Sequence, residues 1–120
     1  AVAGDYDGYL RWAVNSWTAD PMTDTRFRTW CAGDTYMIYP DGRSSLRFDK
    51  LVEGIQDYEK MRILIDEWNA ADQLDKVAEL TRALSRFDYK HLSESASTGR
   101  EASEAIEEGR RVYNKLSTED

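Results

Sequence analysis

Alternation governs the first third of the chain, and a helical period governs the rest. If residues 7–17 (DGYLRWAVNSW) are extended, Tyr9, Arg11, Ala13, Asn15 and Trp17 fall on one face, and Leu10, Trp12, Val14 and Ser16 on the other. The second face is apolar almost throughout, which predicts a buried strand. A second apolar run, residues 35–39 (TYMIY), stops at the turn-forming triplet Pro40, Asp41 and Gly42. It predicts another strand, with Thr35, Met37 and Tyr39 on one face. The segment between them has no helical period and exceeds an ordinary connection. Its Arg26, Phe27, Arg28 and Trp30 predict a structured loop over a site or a rim packed against a partner.

From Leu46 onward the period lengthens. Ser44 or Ser45 can cap a first turn, after which Phe48, Leu51, Val52, Ile55, Tyr58, Ile65 and Trp68 recur at helical spacing. A helix is predicted over about residues 46–68, with Leu51, Ile55 and Tyr58 buried beneath the strand pair. A second starts near Asp72, with Leu74, Val77, Leu80, Leu84 and Phe87 inside and Lys76, Glu79 and Arg82 outside. A third spans about residues 100–116 and gathers Ala102, Ala105, Ile106, Gly109, Val112, Tyr113 and Leu116 on one face. Residues 91–99 form a polar, serine-rich link.

Composition narrows the function classes. At 120 residues the chain fits one domain, about half of what a closed eight-fold β/α barrel needs. A formal charge of −7 argues against nucleic acid and anionic membranes as partners. The apolar runs are too short for membrane insertion, and the first residues lack the basic-then-apolar pattern of a signal peptide. One cysteine, Cys31, and one histidine, His91, leave no internal disulfide and no histidine or thiolate cluster, so neither metal nor cofactor is expected. Cys31 also lacks a neighbouring base to make it a nucleophile. Asp5 and Asp7, beside Gly4 and Gly8, read as turn formers rather than a metal pair.

The candidate chemistry lies at the carboxyl end of the first predicted strand, where parallel α/β sheets and barrels place their ligands. There the indole of Trp17 can stack on the apolar face of a sugar ring, while the Asn15 amide bonds hydroxyls or an N-acetyl group. A strand with an aromatic packed at its rim is the competing reading. Arg11, on a strand interior, calls for a carboxylate partner. Asp49, Glu53 and Asp57 form a four-residue ladder that reads as a solvated face beside Arg47, Lys50 and Lys60.

Several uncommon elements then occur in order: DGYLRWAVNSW, DPMTDTRFRTW, and AGDTYMIYPDGRSSLRFDKLVEGIQDYEKMRIL. Over about residues 4–64 they resemble the carboxyl-terminal part of glycoside hydrolase family 123, often catalogued as a domain of unknown function. The resemblance implies a retaining exo-β-N-acetylgalactosaminidase on a β/α barrel, in which the substrate's own acetamido oxygen attacks the anomeric carbon. That is a substrate-assisted departure from the two-carboxylate scheme. The resemblance implies one acidic or amide residue that polarises the acetamido group and a neighbouring glutamic acid that protonates the leaving oxygen. Asp66 and Glu67 are adjacent but lie inside a predicted helix, so no catalytic residue is assigned.

The resulting expectation is an α/β fold, made of the last strands and outer helix of a β/α barrel followed by two amphipathic helices, as an incomplete fragment. Residues 1–71 would hold the barrel part and residues 72–120 the helical segment. Asn15, Trp17 and Tyr39 would line the sugar site, and Arg47, Glu53 and Asp57 fall in the motif with capping and salt-bridge roles that explain them equally well. The implied partner is a glycan with an N-acetylhexosamine, and the parent would be secreted or periplasmic. Exposed strands could pair two copies as a homo-oligomer, and a non-catalytic helical interaction module is the alternative reading.

Overall fold

The computed structural model describes residues 1–88 and 98–119. Within them the architecture mixes α and β structure, compatible with the α/β class. Strand β1 (Ile38–Tyr39) pairs antiparallel with β2 (Arg43–Ser44), in the register Ile38 to Ser44 and Tyr39 to Arg43. Three α-helices follow among the described residues: α1 (Leu46–Ala70), α2 (Leu74–Leu84) and α3 (Thr98–Thr118). The serine-rich link lies largely outside the described residues.

The hairpin arises from its turn. Pro40 fixes the entry, and Asp41 and Gly42 both take positive φ, 61° and 69°. An Asp-Gly pair tolerates this conformation, which turns the chain back within three residues. Thus only Ile38 and Tyr39 of the strand predicted over residues 35–39 find a neighbour in Arg43 and Ser44, a strand too short for its alternation to show in the sequence.

The predicted strand over residues 7–17 does not form. One antiparallel bridge, Asn15 to Tyr36, is its only β pairing among the described residues. Its supposedly buried face is open: Leu10 is 94% exposed, and Trp12 and Val14 are exposed as well. A strand buried on both faces needs a neighbour along its length, and here it meets only a short one.

Ser45 starts α1. Its Oγ accepts the Phe48 amide at 3.1 Å, the third helical position, and donates to the Met37 carbonyl at 2.7 Å. The helix ends in a Schellman motif: the Asp72 amide reaches the Asn69 carbonyl (3.2 Å) and the Gln73 amide the Trp68 carbonyl (2.8 Å), with Asp72 at φ 57°. The burial expected of α1 is only partly realised. Leu51 and Tyr58 are half-buried, but Ile55 is 54% exposed. Among the described residues the strand pair is only two residues long on each side.

Contacts divide the chain into Gly8–Gln56 and a second unit made of Ala1–Asp7 with Asp57–Asp120. The second has the apolar core: Trp68 from α1, Leu80 and Leu84 from α2, and Val112, Tyr113 and Leu116 from α3, flanked by Met61, Leu64, Ile65 and Val77. Leu80 and Leu116 are fully buried, and cutting either to Ala would cost about 2–5 kcal/mol. Leu74 and Ile106, expected inside, are exposed at the margin of this core.

Lys76 corrects the expectation in the other direction. Instead of facing solvent it is buried, and its ammonium donates to the carbonyls of Leu116 (3.3 Å) and Glu119 (2.6 Å). The end of α3 leaves carbonyls without intrahelical donors and carries partial negative charge, so a cation is favoured there.

Candidate functional site

The unit Gly8–Gln56 is held by a few specific contacts. The amides of Met37 and Ile38 both donate to the Val14 carbonyl (3.2 and 3.3 Å), and Thr35 Oγ1 donates to the Ser16 carbonyl at 2.7 Å. Thr35 is buried with φ 59°, a left-handed backbone that β-branched residues rarely adopt. This breaks the alternation predicted through residues 35–39, so Thr35 does not share a strand face with Tyr39.

Tyr36, fully buried, is the hub. Its hydroxyl accepts the Thr18 amide at 3.2 Å and lies 2.9 Å from Thr18 Oγ1, which itself donates to the Asp24 carbonyl. Around its ring runs an aromatic chain. Tyr39 and Phe27 meet Tyr36 edge-on at 5.1 and 5.9 Å, Trp30 lies 6.2 Å from Phe27, and Trp12 lies 5.3 Å from Trp30. Such edge-to-face pairs are each worth about 0.5–1.5 kcal/mol beyond burial. They explain how a loop without regular structure is ordered. Asp24 and Arg26 brace the same loop through two 2.8 Å bonds, and these bonds with the Arg26 charge hold the Asp24 carboxyl down at about 2.

The three expected sugar-site residues lie around the segment 36–39. Asn15 is bridged to Tyr36, Trp17 donates its indole N–H to the Ile38 carbonyl at 2.9 Å, and Tyr39 packs its ring on Tyr36. Trp17 remains 37% exposed, so its ring, not its N–H, is what it can offer a ligand. Because the bridge is antiparallel, the carboxyl ends of the two segments point in opposite directions.

A cleft of 580 Å³ opens beside them, lined by Tyr9, Arg11, Trp30, Cys31, Ala32, Gly33, Asp34, Thr35, Tyr36, Met37 and Arg47. None of Asn15, Trp17 and Tyr39 is on its wall. Arg11 forms the carboxylate pair expected of it, with Asp34. Trp30 and Tyr36 are residues that strand parity passed over. Their signal was the density of aromatics between residues 27 and 39.

The acidic ladder of α1 divides. Asp49 accepts the Ser44 hydroxyl (2.9 Å) and Glu53 pairs with Lys50 (2.8 Å), as a solvated face should. Asp57 departs from it: half-buried, it receives Arg110 Nε and Nη2 (2.8 and 2.7 Å) and the Tyr113 hydroxyl (2.6 Å). Asp66 and Glu67 are exposed on α1, and Asp66 lies 3.6 Å from Arg62. Among the described residues no group of three or more His, Cys, Asp or Glu could hold a metal ion, and no helix is long and apolar enough to cross a membrane.

With this geometry in view, comparison with known proteins adds one match. The family described as glycoside hydrolase 123, catalytic domain, matches residues 1–64, just over half of the 120. No curated protein matches the chain significantly.

Proposed function

Since the chain belongs to the glycoside hydrolase 123 family, we propose that it supplies part of the sugar-binding wall of an exo-acting β-N-acetylhexosaminidase. In that enzyme the acetamido oxygen of the substrate attacks its own anomeric carbon, and residues outside this sequence act as acid and acetamido polariser. Residues 1–71 would belong to the late part of the catalytic barrel, with α1 as an outer helix and the segments around Asn15, Trp17 and Tyr39 turned towards the sugar. The observation that carries this reading is the coincidence of the family match, residues 1–64, with the segment that presents the aromatic chain and the exposed Trp17 ring. Rings of this kind stack on the apolar faces of sugars, and an amide supplies directional bonds to an N-acetyl group.

In the complete enzyme, Trp17→Ala is expected to lower kcat/KM by about 1–3 kcal/mol in transition-state stabilisation, the scale of one large apolar contact. Unchanged kinetics would reduce Trp17 to packing. The isolated chain is expected to hydrolyse no aryl N-acetyl-β-galactosaminide. Turnover abolished by changing one of its own acids would overturn the division of labour.

The exposed Leu10, Trp12 and Val14 favour a second reading, in which this apolar edge pairs two copies of the chain. Analytical ultracentrifugation decides it: a monomer across micromolar concentrations ends the oligomerisation reading.

A further inference from the structure

The cleft in the unit Gly8–Gln56 has a charge the rest of the chain does not. Overall the protein carries −7, yet the wall holds two guanidiniums, Arg11 and Arg47, against one carboxylate, Asp34. Asp34 is already matched by Arg11. Arg47 is exposed and has no carboxylate partner among the described residues.

Its placement is nonetheless defined. Gly33 takes φ 76°, and a Cβ built there would meet Arg47 Cζ at 2.9 Å and Nη2 closer still. The guanidinium thus lies against the bare backbone of a residue whose conformation suits glycine. Helix stability does not account for it, because Arg47 is the second residue of α1, where the helix end is partially positive and a cation is disfavoured. A planar fork that is open to solvent in a cleft it shares with the exposed rings of Tyr9 and Trp30 is suited to a bidentate oxyanion on a molecule with an apolar face.

We infer that this cleft binds a sugar bearing an oxyanion, either a uronic acid carboxylate or a sulfate ester, with Arg47 as the anion contact and the exposed rings of Tyr9 and Trp30 as the stacking surface. The inference rests on the carbohydrate reading above and adds to it a contact for an acidic sugar in a cleft that Asn15, Trp17 and Tyr39 do not line.

Calorimetric titration of the 120-residue chain tests it with four probes: methyl β-glucuronide, N-acetylgalactosamine 6-sulfate, methyl N-acetyl-β-galactosaminide and inorganic sulfate. At least one acidic sugar should bind more tightly than the neutral glycoside and than sulfate alone. The acidic probe that binds identifies the oxyanion. Arg47→Gln should weaken acidic-sugar binding about tenfold or more, the scale of one charge-assisted hydrogen bond, and leave neutral binding unchanged. Arg47→Lys keeps the charge without the fork and should fall between. Circular dichroism of each variant establishes that it is folded.

Equal binding of acidic and neutral sugars, untouched by Arg47→Gln, would overturn the inference while the sugar reading stands. Binding of inorganic sulfate as tight as that of the acidic sugars would overturn the sugar part of the site. Binding of none of the three sugars would overturn the inference together with the carbohydrate reading of this chain.

Discussion

Tyr113 sits where burial, a carboxylate and two cations meet. Its hydroxyl donates to Asp57, Arg110 holds the same carboxylate, and the Lys60 ammonium lies 4.8 Å from its ring centroid. Burial, followed by the bond to Asp57 and its charge, pushes the phenol from its ordinary 10.0 up to about 12, with Arg110 opposing. Between those values the folded protein keeps a proton that the unfolded chain releases. The stabilisation is therefore complete below the ordinary value and disappears as pH rises through the folded one. Denaturant unfolding across this interval should show falling stability, and near-ultraviolet absorbance should show one tyrosine ionising late. Tyr113→Phe should abolish that late component; if it persists, another tyrosine is responsible.

At the scale of elements, two helical glycines carry a direct expectation. A Cβ on Gly54 of α1 would meet nothing within 4 Å, and one on Gly109 of α3 would rest 3.6 Å from Leu84 Cδ2, an ordinary contact. Replacing either by Ala should stabilise the protein by about 0.5–1 kcal/mol, through the lower conformational entropy of the unfolded chain. A lower denaturation midpoint for either variant would show that its backbone position is constrained in a way these distances do not reveal. The helices themselves were legible in the sequence, because a period of 3.6 fixes their type, and for α1 the pair Ser44 and Ser45, of which Ser45 is the cap, marks the start. Val77, Leu80 and Leu84, like Val112 and Leu116, follow from that period alone. Lys76 did not, because its burial depends on the end of another helix lying opposite. The strand expected over residues 7–17 failed for a related reason: alternation tells two faces apart but not whether a neighbour exists to bond the backbone. At the site, the pairing of Arg11 and the aromatic richness of the loop were readable. The hub at Tyr36 and the cleft beside Arg47 were not, since they involve the left-handed backbone of Thr35 and Gly33, which alternation does not show.

Across the whole molecule, stability is unevenly supported. The unit containing α2 and α3 has an apolar core with fully buried leucines, whereas Gly8–Gln56 relies on ring contacts and a handful of hydrogen bonds outside its part of α1. Regions with few ladder bonds open at low free energy. Among the described residues, limited proteolysis should therefore cut first between residues 8 and 44, and amide exchange there should run ahead of α2 and α3. Uniform protection throughout would contradict this. The buried Thr35 hydroxyl gives this uneven support a further meaning. Residues 14–18 and 35–39 are joined by one β bridge, by the Met37 and Ile38 amides on the Val14 carbonyl and by the Trp17 indole on the Ile38 carbonyl, and the Thr35 hydroxyl adds a side-chain bond, to the Ser16 carbonyl, that helps fix which residue faces which. Thr35→Val, which preserves shape, should therefore make the alignment of these segments degenerate: doubled NMR resonances for residues 14–18 and 35–39, not a uniform loss of folding, are the expected signature, and a single undisturbed set of peaks would show that the remaining hydrogen bonds and the aromatic rings hold the alignment without it.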